Sequence, residues 1–225
     1  MAVSDRTSRY LSPEEAKRFY DRLGSLQDWQ RFYENVAIED LIAHAAFASA
    51  RAVLEFGCGT GTFAARLMNR YLPADARYLG LDLSSTMASL ARKRLQPWAE
   101  RAQVRQSGAS PRTQEPDASF DRFVSIYVLD LLAPGCIEQL LAEAHRLLVP
   151  GGRLCLVSLT FGASRIGRVV SRCWQGVWKL NPSLVGGCHP IELLDYLRAE
   201  NWNPGYQSLV TRWGLTSRVV VASAK

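Results

Sequence analysis

This chain has no pair of cysteines spaced C-x-x-C, only three histidines, and no apolar run approaching the roughly 18 residues that span a membrane. Cys58, Cys136, Cys155, Cys173 and Cys188 are an odd number at irregular spacing, which argues against a zinc framework and for reduced thiols. Internal repeats, low-complexity tracts and linkers are also missing, which excludes a solenoid or a string of domains. Met1 to Tyr10 is polar and lacks the apolar stretch of a signal peptide, so a cytoplasmic protein is expected.

What is there suits one core of ordinary size, with 48% hydrophobic residues in 225. The 27 basic and 21 acidic residues leave a net charge of +6. That excess leans toward anionic partners such as a membrane surface or an acidic substrate, and its scatter along the chain argues against nucleic acid.

Ser12-Pro13-Glu14-Glu15 is a capping box with proline at the first helical position, opening a helix to about Leu23 that stops at Gly24. A second helical stretch runs from about Asp28 through Ile38 to Ala50, carrying Trp29, Phe32 and Tyr33. Strand-like runs then alternate with amphipathic helical ones. The strands are read at Ala52 to Phe56, Tyr78 to Leu81, Gln103 to Gln106, Phe120 to Tyr127 and Arg153 to Leu159. Helices are read at Phe63 to Tyr71, Ser85 to Trp98 and Cys136 to Leu148. This succession implies a parallel sheet covered on both faces.

Past Leu159 the rhythm breaks, and Thr160 to Pro190 is too long for an ordinary connection, so it is expected to contain a helix of its own. A helix from about Ile191 to Glu200 and a closing hairpin of Tyr206 to Thr211 with Arg218 to Ala222 complete the chain. The organisation expected is a helical lid over 1–50, a core over 51–160, an acceptor-side insertion over 161–190, and a final helix and hairpin over 191–225.

Gly57, Gly59 and Gly61 alternate just past a buried strand and just before a helix, where the backbone must turn sharply and approach a ligand. A dinucleotide fingerprint starting at Gly57 would need glycine at position 62, which is Thr62. Glu55 beside the loop would repel a pyrophosphate and attract the ammonium of an amino-acid moiety. Asp82, at the end of the second strand, is placed to accept from ribose hydroxyls.

Val53-Leu54-Glu55-Phe56-Gly57-Cys58-Gly59-Thr60-Gly61 resembles motif I of class I methyltransferases that use S-adenosylmethionine (SAM). Leu81-Asp82-Leu83-Ser84 with Met87, Ser119-Phe120-Asp121-Arg122-Phe123, and Leu147-Leu148-Val149-Pro150-Gly151-Gly152 extend the resemblance over about Ala52 to Leu159. It implies a Rossmann-like, mostly parallel seven-stranded α/β sheet with an antiparallel last strand, SAM as cofactor, and contacts through Glu55, Gly57, Cys58, Gly59, Gly61, Asp82, Leu83, Met87, Gly108, Ala109 and Tyr127. Gln106-Ser107-Gly108-Ala109-Ser110 departs from the family pattern, with Ala109 where an acid usually accepts from the adenine amino group. The preamble, with Phe19-Tyr20-Asp21-Arg22-Leu23, looks like the lid of the ubiquinone-biosynthesis and phosphatidylethanolamine methyltransferase branch, which implies a small or lipid-like acceptor and makes Tyr20 and Tyr33 lid residues.

On the acceptor side, His189 ends the irregular segment near the open crevice, with acceptor contact and a turn role as its two readings. The family often lines its methyl-transfer site where Tyr127 and Asp130 stand; core packing and a helix start are the competing roles. Arg165, Arg168 and Arg172 share one helical face near Trp174 and Trp178, as a basic aromatic surface for a lipid headgroup or membrane, or as an ordinary amphipathic lid. His44 and His145 are expected to be structural or at the surface. The competing functions are a nicotinamide-dependent oxidoreductase and a non-catalytic SAM-fold binding protein.

Overall fold

A computed structural model describes residues 10–23 and 31–225, with side chains described from residue 34 in the second segment. The readings of Trp29, Phe32 and Tyr33 as aromatic or lid side chains lie outside the described residues.

Continuous apolar runs, buried on both faces in the central strands, build one seven-stranded sheet. Its strands are β1 (Ala52–Phe56), β2 (Arg77–Asp82), β3 (Ala102–Gln106), β4 (Phe120–Ile126), β5 (Leu148–Thr160), β6 (Trp202–Arg212) and β7 (Leu215–Ala224). Their order is β3-β2-β1-β4-β5-β7-β6, and β7 runs antiparallel to both of its neighbours. Val53 faces one core layer with Val124, Val157 and Val219, while Leu54 faces the other with Phe123, Leu156 and Val220.

Helices cover both faces: α1 (Pro13–Leu23), α2 (Arg31–His44), α3 (Thr62–Arg70), α4 (Ser85–Leu95), α5 (Pro134–Leu147) and α6 (Arg165–Leu180). The Ser12 capping box is reciprocal, Ser12 N–H donating to Glu15 Oε2 at 2.8 Å and Glu15 N–H to Ser12 Oγ at 3.2 Å. Asp21 docks α1 onto the start of α4, accepting from Ser84 Oγ at 2.5 Å and Thr86 N–H at 3.2 Å. The buried Arg122 anchors the end of α2, donating to Ala45 O at 2.9 Å and Ala46 O at 2.7 Å.

Two expectations are corrected. Ile191 to Glu200 is not an α-helix, because Ile191 N–H bonds Leu159 O and Glu192 is extended, leaving only a short 3-10 turn at Leu193–Tyr196. β5 begins at Leu148 and takes in Pro150-Gly151-Gly152, with a register shift against β4 between Phe120 and Arg122. The long connection after β5 does hold its own helix, α6.

Candidate active site

Order reversal in the sheet places the site. β2 and β4 flank β1 on opposite sides, so the loops leaving β1 and β4 diverge and open a crevice at their carboxyl ends. Gly57 stands at one of those ends and Tyr127 at the other.

Gly57, Gly59 and Gly61 have φ of 80°, 51° and 74°, the left-handed region open to glycine. A Cβ on Gly57 would lie 2.2 Å from Val128 Cγ2, and one on Gly61 would lie 2.9 Å from Ala91 Cα. The turn is pinned by Gly57 and Cys58 N–H donating to Leu81 O, and by Gly59 N–H donating to Asp82 Oδ2 at 2.8 Å. Arg94 of α4 holds its far side, donating to Thr60 O at 2.8 Å and Thr60 Oγ1 at 2.6 Å and contacting Thr62 Oγ1. Thr62, where the dinucleotide spacing fails, is therefore part of the loop's own scaffold.

Glu55 is buried at 2% exposure, and Tyr78 Oη donates to its Oε2 at 2.6 Å. Burial raises the Glu55 carboxyl to about 8, with the Tyr78 bond opposing. Gly80, paired with Glu55 across the strands, makes room, since a Cβ there would stand 2.9 Å from Tyr78 Oη and 3.0 Å from Cys58 Sγ. A cleft of about 100 Å³ opens here, lined by Glu55, Gly57, Cys58, Gly59, Glu34 and Arg66 among others.

Asp82 closes β2, its two oxygens accepting from Gly59 N–H and, at 2.9 Å, from Ser84 N–H. Burial raises its carboxyl to about 6 against those two bonds. After Leu83, Ser84 Oγ caps α4 by accepting from the N–H of the buried Met87 at 3.1 Å. Ser107 N–H donates to Asp82 O at 2.8 Å and Gln106 Nε2 to Leu83 O at 3.1 Å, which draws the exposed Gly108–Ala109 loop alongside.

Across the crevice Tyr127 has φ 53°, a strained setting for a bulky side chain that costs about 1–3 kcal/mol. Its N–H donates to Val157 O and its hydroxyl is 2.7 Å from Ser217 Oγ. Asp130 is fully buried, Oδ2 accepting from Leu159 N–H at 3.3 Å and its main-chain oxygen from His189 N–H at 3.0 Å. Burial raises its carboxyl to about 7, so it is only partly ionised at neutral pH. His189 stacks on Trp178 at 4.4 Å and meets the Tyr10 ring edge-on at 5.3 Å. Burial lowers its pKa, which keeps the imidazole neutral near pH 7. Asp130 Oδ1 and His189 Nδ1 lack hydrogen-bond partners among the described residues. Tyr20 Oη of α1 donates to Gly186 O at 3.5 Å, which ties the helix to the segment that carries His189.

The methyltransferase domain family matches residues 53–152. Demethylmenaquinone methyltransferase of Deinococcus radiodurans is 31% identical over 204 residues, covering 83% of this chain and 79% of that protein. The chain belongs to the class I SAM-dependent methyltransferases. Its cofactor is S-adenosylmethionine, which sets aside the oxidoreductase alternative, and the match to methyltransferases over most of the chain favours an enzyme over a binding-only protein. Among solved structures, N-methyltransferase NodS from Bradyrhizobium japonicum, in complex with S-adenosyl-L-homocysteine, has a TM-score of 0.70 at 17% identity, covering 93% of this chain and 98% of that one. The [4+2]-cyclase SpnF shares the fold at a TM-score of 0.73 and 16% identity, covering 96% of this chain and 97% of that one.

The structure of this methyltransferase adds residues that sequence reading missed. Tyr78, Arg94 and Arg66 bear on the loop or its cleft, yet each reads as an ordinary strand or helix residue. Only the glycine opposite Glu55 hinted that a large side chain needed space there. His44 stacks on Tyr206 and His145 meets Trp202 edge-on, the structural roles expected of them. Among the described residues no cluster of His, Cys, Asp or Glu could hold a metal ion.

Proposed function

We propose that this methyltransferase acts on a small lipid-like acceptor, with a reduced, prenylated quinone ring as the first compound to test. The observation that carries the proposal is the reach of the similarity to demethylmenaquinone methyltransferase, which covers 83% of the chain and so extends well beyond residues 53–152.

Bound SAM supplies an electrophilic methyl group on a sulfonium, so the protein's work is alignment and exclusion of water. In this reading Glu55 faces the ammonium of the cofactor's amino-acid end, and Arg66, on the same cleft, supplies positive potential for its carboxylate. Gly57, Cys58, Gly59 and Gly61 let the backbone approach. Each Asp82 oxygen spends one lone pair on a loop N–H and keeps another for a ribose hydroxyl. Leu83 and Met87 supply apolar surface to the adenine. Main-chain groups of Gly108 and Ala109 take the contact that an acid makes elsewhere in the family.

Tyr127 bounds the crevice between cofactor and acceptor. His189, neutral and with Nδ1 unpartnered among the described residues, is the base for an acceptor hydroxyl that must lose a proton. Asp130 positions His189 through the main chain. The test incubates the protein with methyl-labelled SAM and a reduced demethylated naphthoquinone bearing a prenyl tail. Label in the extracted quinone supports the proposal; no label there from protein that binds S-adenosylhomocysteine overturns it.

A further inference from the structure

Helix α6 has two apolar faces. One packs inward, with Gly167, Ser171 and Trp178 buried and the Trp174 and Trp178 indoles donating to the carbonyls of Cys188 and Gly187 at 2.9 and 3.0 Å. The opposite face carries Ile166, Val169, Cys173, Val177 and Leu180, within an arc of roughly 80° at 3.6 residues per turn. All five are exposed, Ile166 at 75% and Leu180 at 87%. Leu184 in the next turn, at 71%, and Trp213 at the tip of the β6–β7 hairpin, at 74%, continue the apolar surface. Gly214 places that tip against α6, where a Cβ would stand 3.0 Å from Val170 Cγ2.

Charge selects the occupant. Arg165, Arg168, Arg172 and Lys179 form a parallel row beside the apolar stripe, all exposed, and α6 contains no acidic residue. Arg212 adds a guanidinium 5.5 Å from the centre of the Trp213 ring. A second copy of the same surface would bring two rows of cations together, whereas an anionic bilayer neutralises the row and buries the stripe.

We infer that the outer face of α6, with Leu184 and Trp213, docks this protein onto the surface of an anionic membrane. The helix lies along the interface, its apolar stripe among the outer acyl carbons and its arginines at the headgroups. The inner face of the same helix stacks on His189, so docking sets the acceptor side of the crevice against the bilayer. The inference stands without the quinone reading, because docking is measured without any acceptor.

The full chain is sedimented with vesicles of phosphatidylcholine alone or mixed with phosphatidylglycerol. Binding to the mixed vesicles only is expected, weakening about tenfold or more as salt rises from about 0.1 to about 1 M and the Debye length contracts from about 10 to about 3 Å. Leu180→Asp, Ile166→Asp and the triple change Arg165→Glu, Arg168→Glu, Arg172→Glu should each cut binding about tenfold while leaving S-adenosylhomocysteine binding unchanged. In the unaltered protein, brominated acyl chains should quench tryptophan emission, and less so in Trp213→Phe. Failure of the unaltered protein to bind the anionic vesicles, or a concentration-dependent dimer that Leu180→Asp abolishes, overturns the inference.

Discussion

Tyr78 Oη donates a 2.6 Å hydrogen bond to Glu55 Oε2 beneath the glycine loop, and burial holds that carboxyl near 8. Between its ordinary value of 4.5 and 8 the native protein binds more protons than the unfolded chain, so stability falls as pH rises through that window. Asp82 and Asp130, raised to about 6 and about 7, act in the same direction. Thermal unfolding of the cofactor-free protein should show a midpoint declining from pH 5 to pH 8. Glu55→Gln keeps an acceptor for Tyr78 and removes the titration, so it should be more stable than the parent at pH 9 by roughly 2 kcal/mol. A midpoint that climbs steadily from pH 5 to 8 would contradict this.

Cofactor binding should release a proton from the same group. An ammonium beside Glu55 favours the carboxylate, so between about pH 5 and 8 SAM should lower the carboxyl's pKa and bind more tightly as pH rises. Calorimetry in buffers of different ionisation enthalpy reads the released proton directly. Proton uptake would place the ammonium elsewhere.

Glycine substitutions separate the fold's needs from the ligand's. Gly61→Ala sets a Cβ 2.9 Å from the Ala91 backbone at φ 74°, and should cost about 2–4 kcal/mol in denaturant unfolding. Gly108 has nothing within 4 Å of a built Cβ. Gly108→Ala should therefore change stability by less than about 0.5 kcal/mol, so that any loss of SAM affinity reports on ligand contact. Equal stability losses at both positions would refute the distinction.

His189→Ala should leave SAM affinity within about twofold and lower turnover of a hydroxyl-bearing acceptor by about 10²-fold or more, with the acid limb of the pH–rate profile abolished. Turnover that keeps the parental pH profile would confine His189 to packing against Trp178.

Regular elements were legible because their signals are local. The apolar run of β1 and the capping box of α1 are written in adjacent residues, and the glycine loop announces itself by spacing alone. What the sequence hid was tertiary. Ile191 to Glu200 has helical composition, but Pro190 and the bond from Ile191 N–H to Leu159 O tie the chain to the carboxyl end of β5. For Asp130 the sequence left site lining, core packing and a helix start open, and the fold buries it fully, with Leu159 N–H of β5 donating to its carboxylate and His189 N–H to its main-chain oxygen. Arg94 and Tyr78 reach the loop from 34 and 23 residues away in the chain, separations that carry no motif.

The central claim, that Asp82 and the loop it pins hold the methyl donor, is tested most directly by titrating S-adenosylhomocysteine into the unaltered protein and into Asp82→Ala in a calorimeter. One site per chain is expected, weakened about 10²-fold in the folded variant by loss of the ribose and loop hydrogen bonds. Equal affinity in the two proteins would contradict the account.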